Sequence, residues 1–190
     1  MADEGSELQA ILNGDRGAFE AFVRKYQRLV SHIVFRMITN TADREDLCQE
    51  VFLTIHRSLP EFRGDCKLSS WVGQIAHNKC LNYLEKKKLP LYEDLCQENQ
   101  TVDDVASGFE IQDSEIERSD VGARVRSEID QLPPLYGTIL VLYHLEDMSY
   151  REISEIMRLP DGTVKSYLFR ARRMLRDRLV AAYQPEELWQ

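Results

Sequence analysis

The stretch of sequence that decides the fold is SYREISEIMRLPDGTVKSYLFRARR, which occupies residues 149–173. Ser149 and Glu152 have the spacing of a capping box, in which each side chain satisfies a free backbone N–H at a helix start. Pro160 and Gly162 then interrupt the helical pattern and mark a turn. The stretch predicts two helices joined tightly, which is the helix-turn-helix pattern whose second helix lies in the major groove of DNA.

The second of these helices is predicted to have an apolar side and a basic side. Thr163 can cap its first turn. Residues 163–178 hold six basic residues and one acid, and the aromatic Phe169 lies on the basic side. A charge run is usually just solvated, but this one is concentrated in an acidic chain and carries an aromatic, so we favour DNA binding. The apolar side consists of Val164, Leu168, Ala171, Leu175 and Leu179.

The net charge of the chain is −8, which argues against a general nucleic-acid coat protein. Residues 90–120 contain ten acidic residues and one basic residue, which leaves 22 acids and 23 bases elsewhere. That segment has few large apolar residues and no sustained period, so it is predicted to be a flexible linker between two helical domains. Composition favours a solvated spacer; the alternative is a segment whose negative charge imitates nucleic acid in a basic channel.

The part before the linker, residues 6–88, is predicted to be helical throughout. A long helix follows Gly14 and Asp15, and a second runs from about Ala42 to Ser58. A third runs from about Ser69 to Lys87. The residues predicted to face the core are Phe19, Phe22, Val23, Tyr26, Val30 and Ile33 in the first, Leu47, Val51 and Ile55 in the second, and Val72, Ile75, Ala76 and Leu84 in the third. Another face of the second helix carries Asp46, Gln49, Glu50 and Leu53, and a face of that kind is usually only solvated.

The loop between the second and third helices is bracketed by two aromatic residues, Phe62 and Trp71. It contains a glycine and two bases, and the helix that follows carries Asn78, Lys79 and Asn82. Aromatic rings interleaved with bases and amides suit single-stranded nucleic acid, because bases stack on the rings and phosphates meet the charges. For Trp71, packing in the core is an equally good interpretation.

No catalytic or metal-binding motif stands out, so the sequence predicts neither an enzyme nor a cofactor or metal site. His77 and Cys80 lie three residues apart, but no second pair completes a zinc site. The four cysteines form no C-x-x-C pair and are expected to be reduced thiols. The acidic start lacks the apolar core of a signal peptide, and no apolar run approaches the ~20 residues of a membrane span. A cytoplasmic protein without membrane insertion is expected.

Taken together, the motifs resemble those of group IV bacterial sigma factors, the extracytoplasmic-function type. The resemblance covers nearly the whole chain, and it is specific because the motifs occur in order around an acidic linker. Two departures are Tyr167 and Glu85, which stand where the family often has a base. The matching motifs are Gly14-Asp-x-x-Ala-Phe with Tyr26, Asp46-Leu-Cys-Gln-Glu-Val-Phe, Phe62-Arg-Gly, Trp71-x-x-x-Ile-Ala-x-Asn, Leu132-Pro-Pro, Ser149-Tyr-x-Glu-Ile and Gly162-Thr-Val-Lys-Ser-x-Leu-x-Arg-Ala-Arg.

The resemblance implies an all-α chain with a region 2-like domain at residues 1–89, an acidic linker at 90–120 and a region 4-like helix-turn-helix domain at 121–190. The polar face Asp46, Gln49, Glu50 and Leu53 would dock on core RNA polymerase. Opening of the −10 element would involve Phe62, Arg63, Lys67, Ser69, Trp71, Asn78, Lys79 and Asn82. Reading of the −35 element would involve Thr163, Lys165, Ser166, Phe169, Arg170, Arg172 and Arg173.

The implied partners are core RNA polymerase, promoter DNA and an inhibitory anti-sigma factor, with no small-molecule substrate. The linker would thread toward the RNA path of the polymerase, which favours nucleic-acid mimicry over a simple spacer. One alternative is a stand-alone DNA-binding response regulator or repressor, but no receiver or ligand domain is visible. A second is a metal-dependent enzyme using the acidic segment, which would need ordered carboxylates. Metal content would separate the second from the other two.

Overall fold

The computed structural model describes residues 2–87 and 120–183, and within them it is all-α, as the sequence predicts. Eight α-helices and one short 3-10 helix make up this described part, which contains no β-strand. The chain divides into two compact units. The predicted acidic linker at residues 90–120 lies outside the described residues, except for its last residue.

The amino-terminal unit consists of four α-helices, three of which pack on one another around a common core. Asp15 caps the long second helix, since its Oδ1 accepts hydrogen bonds from the N–H groups of Gly17 and Ala18 at 2.8 and 3.1 Å. Asn40 caps the next helix through Ala42 at 3.0 Å. The elements are α1 (Ala2–Leu12), α2 (Arg16–Met37), α3 (Thr41–Ser58), a 3-10 helix (Leu59–Glu61) and α4 (Leu68–Lys86).

The core of this unit follows the predicted apolar faces closely. In α3 the buried residues are Leu47, Val51 and Ile55, as predicted. In α4 the prediction was wrong for Ile75, which is only partly buried because it lies on the same side of the helix as Trp71. From α2 the buried residues include Phe22, Tyr26, Val30 and Ile33, whereas Phe19 and Val23 keep partial exposure. Each fully buried aliphatic or aromatic side chain contributes about 1.5–3 kcal/mol.

The carboxy-terminal unit is built from four helices: α5 (Asp120–Asp130), α6 (Pro134–His144), α7 (Tyr150–Met157) and α8 (Asp161–Ala182). Pro134 is the first residue of α6, where its fixed φ suits a helix and its missing N–H costs nothing. The capping box of α7 is confirmed: the N–H of Glu152 donates to Ser149 Oγ at 3.3 Å, and the N–H of Ser149 donates to Glu152 Oε2 at 2.9 Å.

The start of α8 differs from the sequence prediction. Thr163 does not cap the helix, which begins at Asp161 with Pro160 as its N-cap at φ −59° and ψ 145°. Proline holds the extended backbone of a cap without a side-chain acceptor, and the charge of Asp161 suits the positive end of the helix dipole. The N–H of Thr163 therefore donates to the Pro160 carbonyl at 2.8 Å, and Gly162 is helical.

The apolar side of α8 packs on α6, and its other flank meets α5. Val164, Leu168, Ala171 and Leu175 are buried as predicted, and Leu179 is partly buried. An ion pair reinforces the contact with α5, because Arg178 Nε donates to Glu128 Oε2 at 2.9 Å. The opposite side of α8 is thereby left facing outward.

Candidate nucleic-acid interface

The outward side of α3 carries the four residues predicted to dock on a protein partner. Asp46, Gln49, Glu50 and Leu53 are all exposed, and they lie opposite the buried stripe of that helix. Leu53 keeps 56% of its surface exposed. The face therefore combines one exposed leucine with two carboxylates and an amide.

The outward side of α4 brings together residues predicted to contact single-stranded DNA. Trp71, Asn78 and Asn82 recur at helical spacing, so they form one stripe opposite the buried Val72, Ala76, Cys80 and Leu84. Lys79 flanks the stripe and pairs with Glu50 of α3, with 3.8 Å between Nζ and Oε2. The two predicted surfaces of this unit therefore adjoin.

The two aromatic residues that bracket the loop before α4 contact each other. The ring centroids of Phe62 and Trp71 are 5.1 Å apart, with 50° between the ring planes, and both rings are partly exposed. Trp71 is thus partly buried against Phe62 and partly exposed to solvent. Gly64 turns the loop with a φ of 76°, which a glycine adopts without strain. Of the other predicted residues, Arg63, Lys67 and Asn82 are exposed, whereas Ser69, Asn78 and Lys79 are partly buried.

The outward side of α8 carries positive charge and one aromatic ring. Lys165 and Arg173 are exposed, and Phe169 keeps 39% of its surface exposed. The hydroxyl of Ser166 donates to the Gly162 carbonyl at 2.9 Å, so its oxygen can still accept a hydrogen bond. Thr163 and Arg170 are partly buried at the edges of this face.

The structure separates Arg172 from the other residues predicted to read DNA. Its Nε donates to His144 Nε2 at 3.2 Å, and its guanidinium carbon lies 5.0 Å from the centroid of the Tyr143 ring. Burial, together with the positive charge of Arg172, lowers the pKa of His144 to about 4. Helical spacing places Arg172 beside Lys165, so the sequence alone gives no sign of this inward contact.

The partners of Asp177 on α8 were not predicted from the sequence. Asp177 accepts from Arg176 Nη2 at 2.8 Å and lies 3.9 Å from Arg173 Nε, so one carboxylate pairs with two bases of the outward side. The signal was present, since Asp177 is the single acid among the six bases of residues 163–178. Tyr167, the family departure, packs edge to face on Tyr136 of α6 with 5.7 Å between centroids.

The cysteines within the described residues are free thiols that burial makes less reactive. Desolvation raises the pKa of Cys48, Cys66 and Cys80, most of all for the fully buried Cys80. A thiol with a raised pKa stays protonated at neutral pH and is a poor nucleophile. Neither a cluster of metal-binding side chains nor a helix long and apolar enough to cross a membrane occurs in residues 2–87 and 120–183.

Comparison with known proteins assigns both units to one family. A family model for sigma-70 region 2 matches residues 22–89, and one for sigma-70 region 4 matches residues 123–175. The RNA polymerase sigma-H factor of Pseudomonas aeruginosa is 32% identical over 169 residues, which is 87% of this chain and 88% of that protein. The ECF RNA polymerase sigma-E factor of Haemophilus influenzae is 33% identical over 176 residues, or 90% and 93% of the two chains.

A solved structure shares the fold. The sigma factor RpoE from Bartonella quintana, in complex with the anti-sigma factor NepR, aligns with a TM-score of 0.60 at 16% identity, covering 87% of this chain and 98% of that one. The helical architecture, the family matches to both units and the identity to curated relatives agree. The chain belongs to the sigma-70 family as an extracytoplasmic-function (ECF) RNA polymerase sigma factor.

Proposed function

We propose that this chain directs promoter-specific transcription initiation through three surfaces, two of which adjoin in the amino-terminal unit. These are the outward side of α3 for core RNA polymerase, the α4 stripe with its preceding loop for the −10 element, and the outward side of α8 for the −35 element. The observation that carries the proposal is that each surface lies opposite a buried apolar stripe of its own helix. A side chain on such a surface can bind a partner without disturbing the core.

The polymerase-binding role rests on the composition of the α3 surface. Asp46 and Glu50 supply negative charge, and Leu53 supplies an apolar contact that water otherwise covers. When a partner covers that leucine, the transfer of its side chain out of water contributes part of the roughly 1.5–3 kcal/mol that full burial of a leucine provides. Gln49 adds an amide that can both donate and accept at the rim.

The −10 role rests on the paired rings of Phe62 and Trp71 and on the amides that continue the stripe. Extruding a base from duplex DNA costs a few kcal/mol of lost stacking and pairing energy. A protein pocket must offset this cost through new stacking and hydrogen bonds. Partly exposed rings offer the stacking, whereas Asn78 and Asn82 offer amide donors and acceptors. Arg63 and Lys67, exposed in the loop, can meet the phosphates beside the extruded base.

The −35 role rests on the outward side of α8, whose basic and aromatic residues suit the major groove. A bidentate contact from a basic side chain to guanine typically supplies about 1–3 kcal/mol of discrimination. Lys165 and Arg170 are the candidates for base contacts, with Ser166 as a smaller polar reader. Phe169, exposed between them, can contact the methyl group of thymine.

The organisation of the whole chain follows from these surfaces. We assign residues 1–89 to polymerase and −10 binding, 90–120 to an acidic linker, and 121–190 to −35 binding. The chain acts as a transcription regulator in the cytoplasm, without catalysis or a cofactor of its own. One relative in fold was solved in complex with the anti-sigma factor NepR, so control by an anti-sigma factor is part of the proposal.

Run-off transcription tests the proposal, using purified bacterial core RNA polymerase and a promoter library randomised at both elements. We expect initiation that depends on this protein and that recovers one −35 and one −10 sequence. Binding to duplex DNA without initiation would instead support a stand-alone regulator. Failure of both initiation and polymerase binding by a folded sample would overturn the assignment of the α3 surface.

A further inference from the structure

We propose that Arg172 positions the DNA-reading helix, instead of contacting DNA, by fastening α8 to the corner where α6 ends and α7 begins. The proposal rests on the −35 role of α8 and adds how the orientation of that helix is set. The corner is formed by Tyr143 and His144, at the end of α6, and by Tyr150, the first residue of α7.

Arg172 makes two contacts with the corner at the same time. Its Nε donates to His144 Nε2 at 3.2 Å, while the guanidinium lies over the Tyr143 ring with 5.0 Å between Cζ and the centroid. A planar guanidinium can donate in its plane and stack with its face, which an ammonium group cannot do. Both contacts would be lost if the side chain swung out toward a phosphate.

The rings of the corner also contact one another, so the contacts of Arg172 connect α8 with both α6 and α7. Tyr143 and Tyr150 are stacked with 5.2 Å between centroids and 19° between planes. The ring of His144 meets Tyr143 edge to face at 4.9 Å. Arg172 thereby links the reading helix to the end of α6 and to the start of α7.

The charge state of His144 is compatible with this link. His144 can accept at Nε2 only when that nitrogen carries no proton. Burial and the charge of Arg172 lower the pKa of His144 to about 4, and the nearby Asp147 carboxylate acts in the opposite direction. At neutral pH the ring is therefore neutral and available as an acceptor.

A phosphate contact and a positioning contact differ in what they change. Loss of one phosphate contact weakens binding to every sequence and lowers the slope of log affinity against log salt by about 0.9. Loss of a positioning contact misaligns Lys165 and Arg170 with the base edges. Binding to the preferred sequence then falls while non-specific binding and its salt slope stay the same.

The experiment measures binding of the full chain with core polymerase to two duplexes at several salt concentrations. One duplex carries the −35 sequence recovered from the promoter library, and the other carries two substituted base pairs in it. We expect Arg172→Ala to lower the ratio of the affinities for the first and second duplexes about fivefold or more, which corresponds to the lower end of the cost of one lost base contact. The slope of log affinity against log salt should not change. His144→Phe, which keeps an aromatic ring but removes both ring nitrogens and so the acceptor for Arg172, should do the same.

Two variants separate the alternatives. Arg172→Lys should not restore the preference, whereas it would restore a phosphate contact. Arg176→Ala is the matched control, since it removes an exposed arginine from the same helix and should leave the preference unchanged. A shallower salt slope in Arg172→Ala with an unchanged preference, or full rescue by lysine, would overturn the proposal. If Arg172→Ala does not fold, the lysine and His144→Phe variants carry the test.

A second readout does not depend on DNA. In wild type, NMR titration should place the pKa of His144 well below that of an exposed histidine, and Arg172→Lys should leave it depressed by the nearby positive charge. Arg172→Ala should raise it, and an unchanged value would show that the two side chains do not meet in solution. If wild type fails to distinguish the two duplexes, the −35 role fails, and this titration still tests the contact.

Discussion

At the scale of single residues, the arginines of α8 differ in the groups that they contact. Arg178 pairs with Glu128 and holds α5, Arg172 faces the corner of α6 and α7, and Arg173 and Arg176 share Asp177. All four of these side chains thus have partners within their own unit that a count of positive charge overlooks. The net charge of a helix is therefore a poor measure of the charge that DNA meets.

Asp177→Asn should strengthen binding to any duplex DNA, because it removes a carboxylate that repels phosphates and pairs with two exposed arginines. Loss of one negative charge near the phosphates should steepen the salt dependence by up to about one unit of slope. Fluorescence anisotropy with duplexes of unrelated sequence measures both effects. Glu20→Gln, on an exposed position of the other unit, makes the same change in net charge and should have no effect. Equal effects of the two variants would contradict a local role.

The stability of the carboxy-terminal unit should fall as the pH is lowered from about 6.5 toward 4. His144 has a folded pKa of about 4 against an ordinary value of 6.5, so in this range the unfolded chain binds a proton that the folded chain does not. Arg172 and Asp147 are the charged groups that influence it. Thermal unfolding of wild type and His144→Gln between pH 7 and 4.5 checks this. The variant should show the flatter dependence, and identical curves would exclude His144 as the cause.

At the scale of elements, short-range capping explains why the starts of α2 and α7 could be predicted. Ser149 with Glu152, and Asp15 before α2, are local signals that act within four residues. The start of α8 was misjudged because Pro160 caps without a side-chain acceptor, so Thr163 was the more conspicuous candidate. The inward turn of Arg172 could not be predicted at all, since it depends on Tyr143 and His144 in a different helix.

Ser149→Ala should destabilise the carboxy-terminal unit by about 1 kcal/mol, because α7 loses the oxygen that accepts from the N–H of Glu152. A shift of several degrees in the melting temperature is expected for a unit of this size, measured by circular dichroism. Ser149→Thr keeps the capping oxygen and should remain close to wild type. A melting temperature for the alanine variant equal to that of wild type would show that the capping box contributes little.

At the scale of the whole molecule, the two units have different binding tasks. The chain as a whole is acidic, so tight binding to DNA by the free protein is not expected. Attachment of one unit to the polymerase raises the effective concentration of the other at its DNA element. A net charge of −8 is compatible with sequence-specific recognition because residues 163–178 concentrate six bases and one acid on a single helix.

Two double variants test the separation of tasks. Asp46→Ala with Gln49→Ala should lower the affinity for core polymerase, while Lys165→Ala with Arg170→Ala should weaken −35 recognition and leave polymerase affinity intact. Polymerase binding and −35 duplex binding are measured for both, and circular dichroism checks that the fold is kept. Parallel losses of both activities in each variant would refute the separation of surfaces. Unchanged polymerase affinity in the first variant would mean that this side of α3 is only solvated.

The left-handed backbone at the end of α7 offers a practical opportunity. Arg158 ends that helix with a φ of 54°, a conformation that costs most non-glycine residues roughly 1–2 kcal/mol. The side chain is exposed and lies in the turn before α8. Asparagine or glycine adopts this backbone geometry at lower cost. A substitution at this position is therefore a way to raise the melting temperature of the protein when it is adapted as an orthogonal gene regulator.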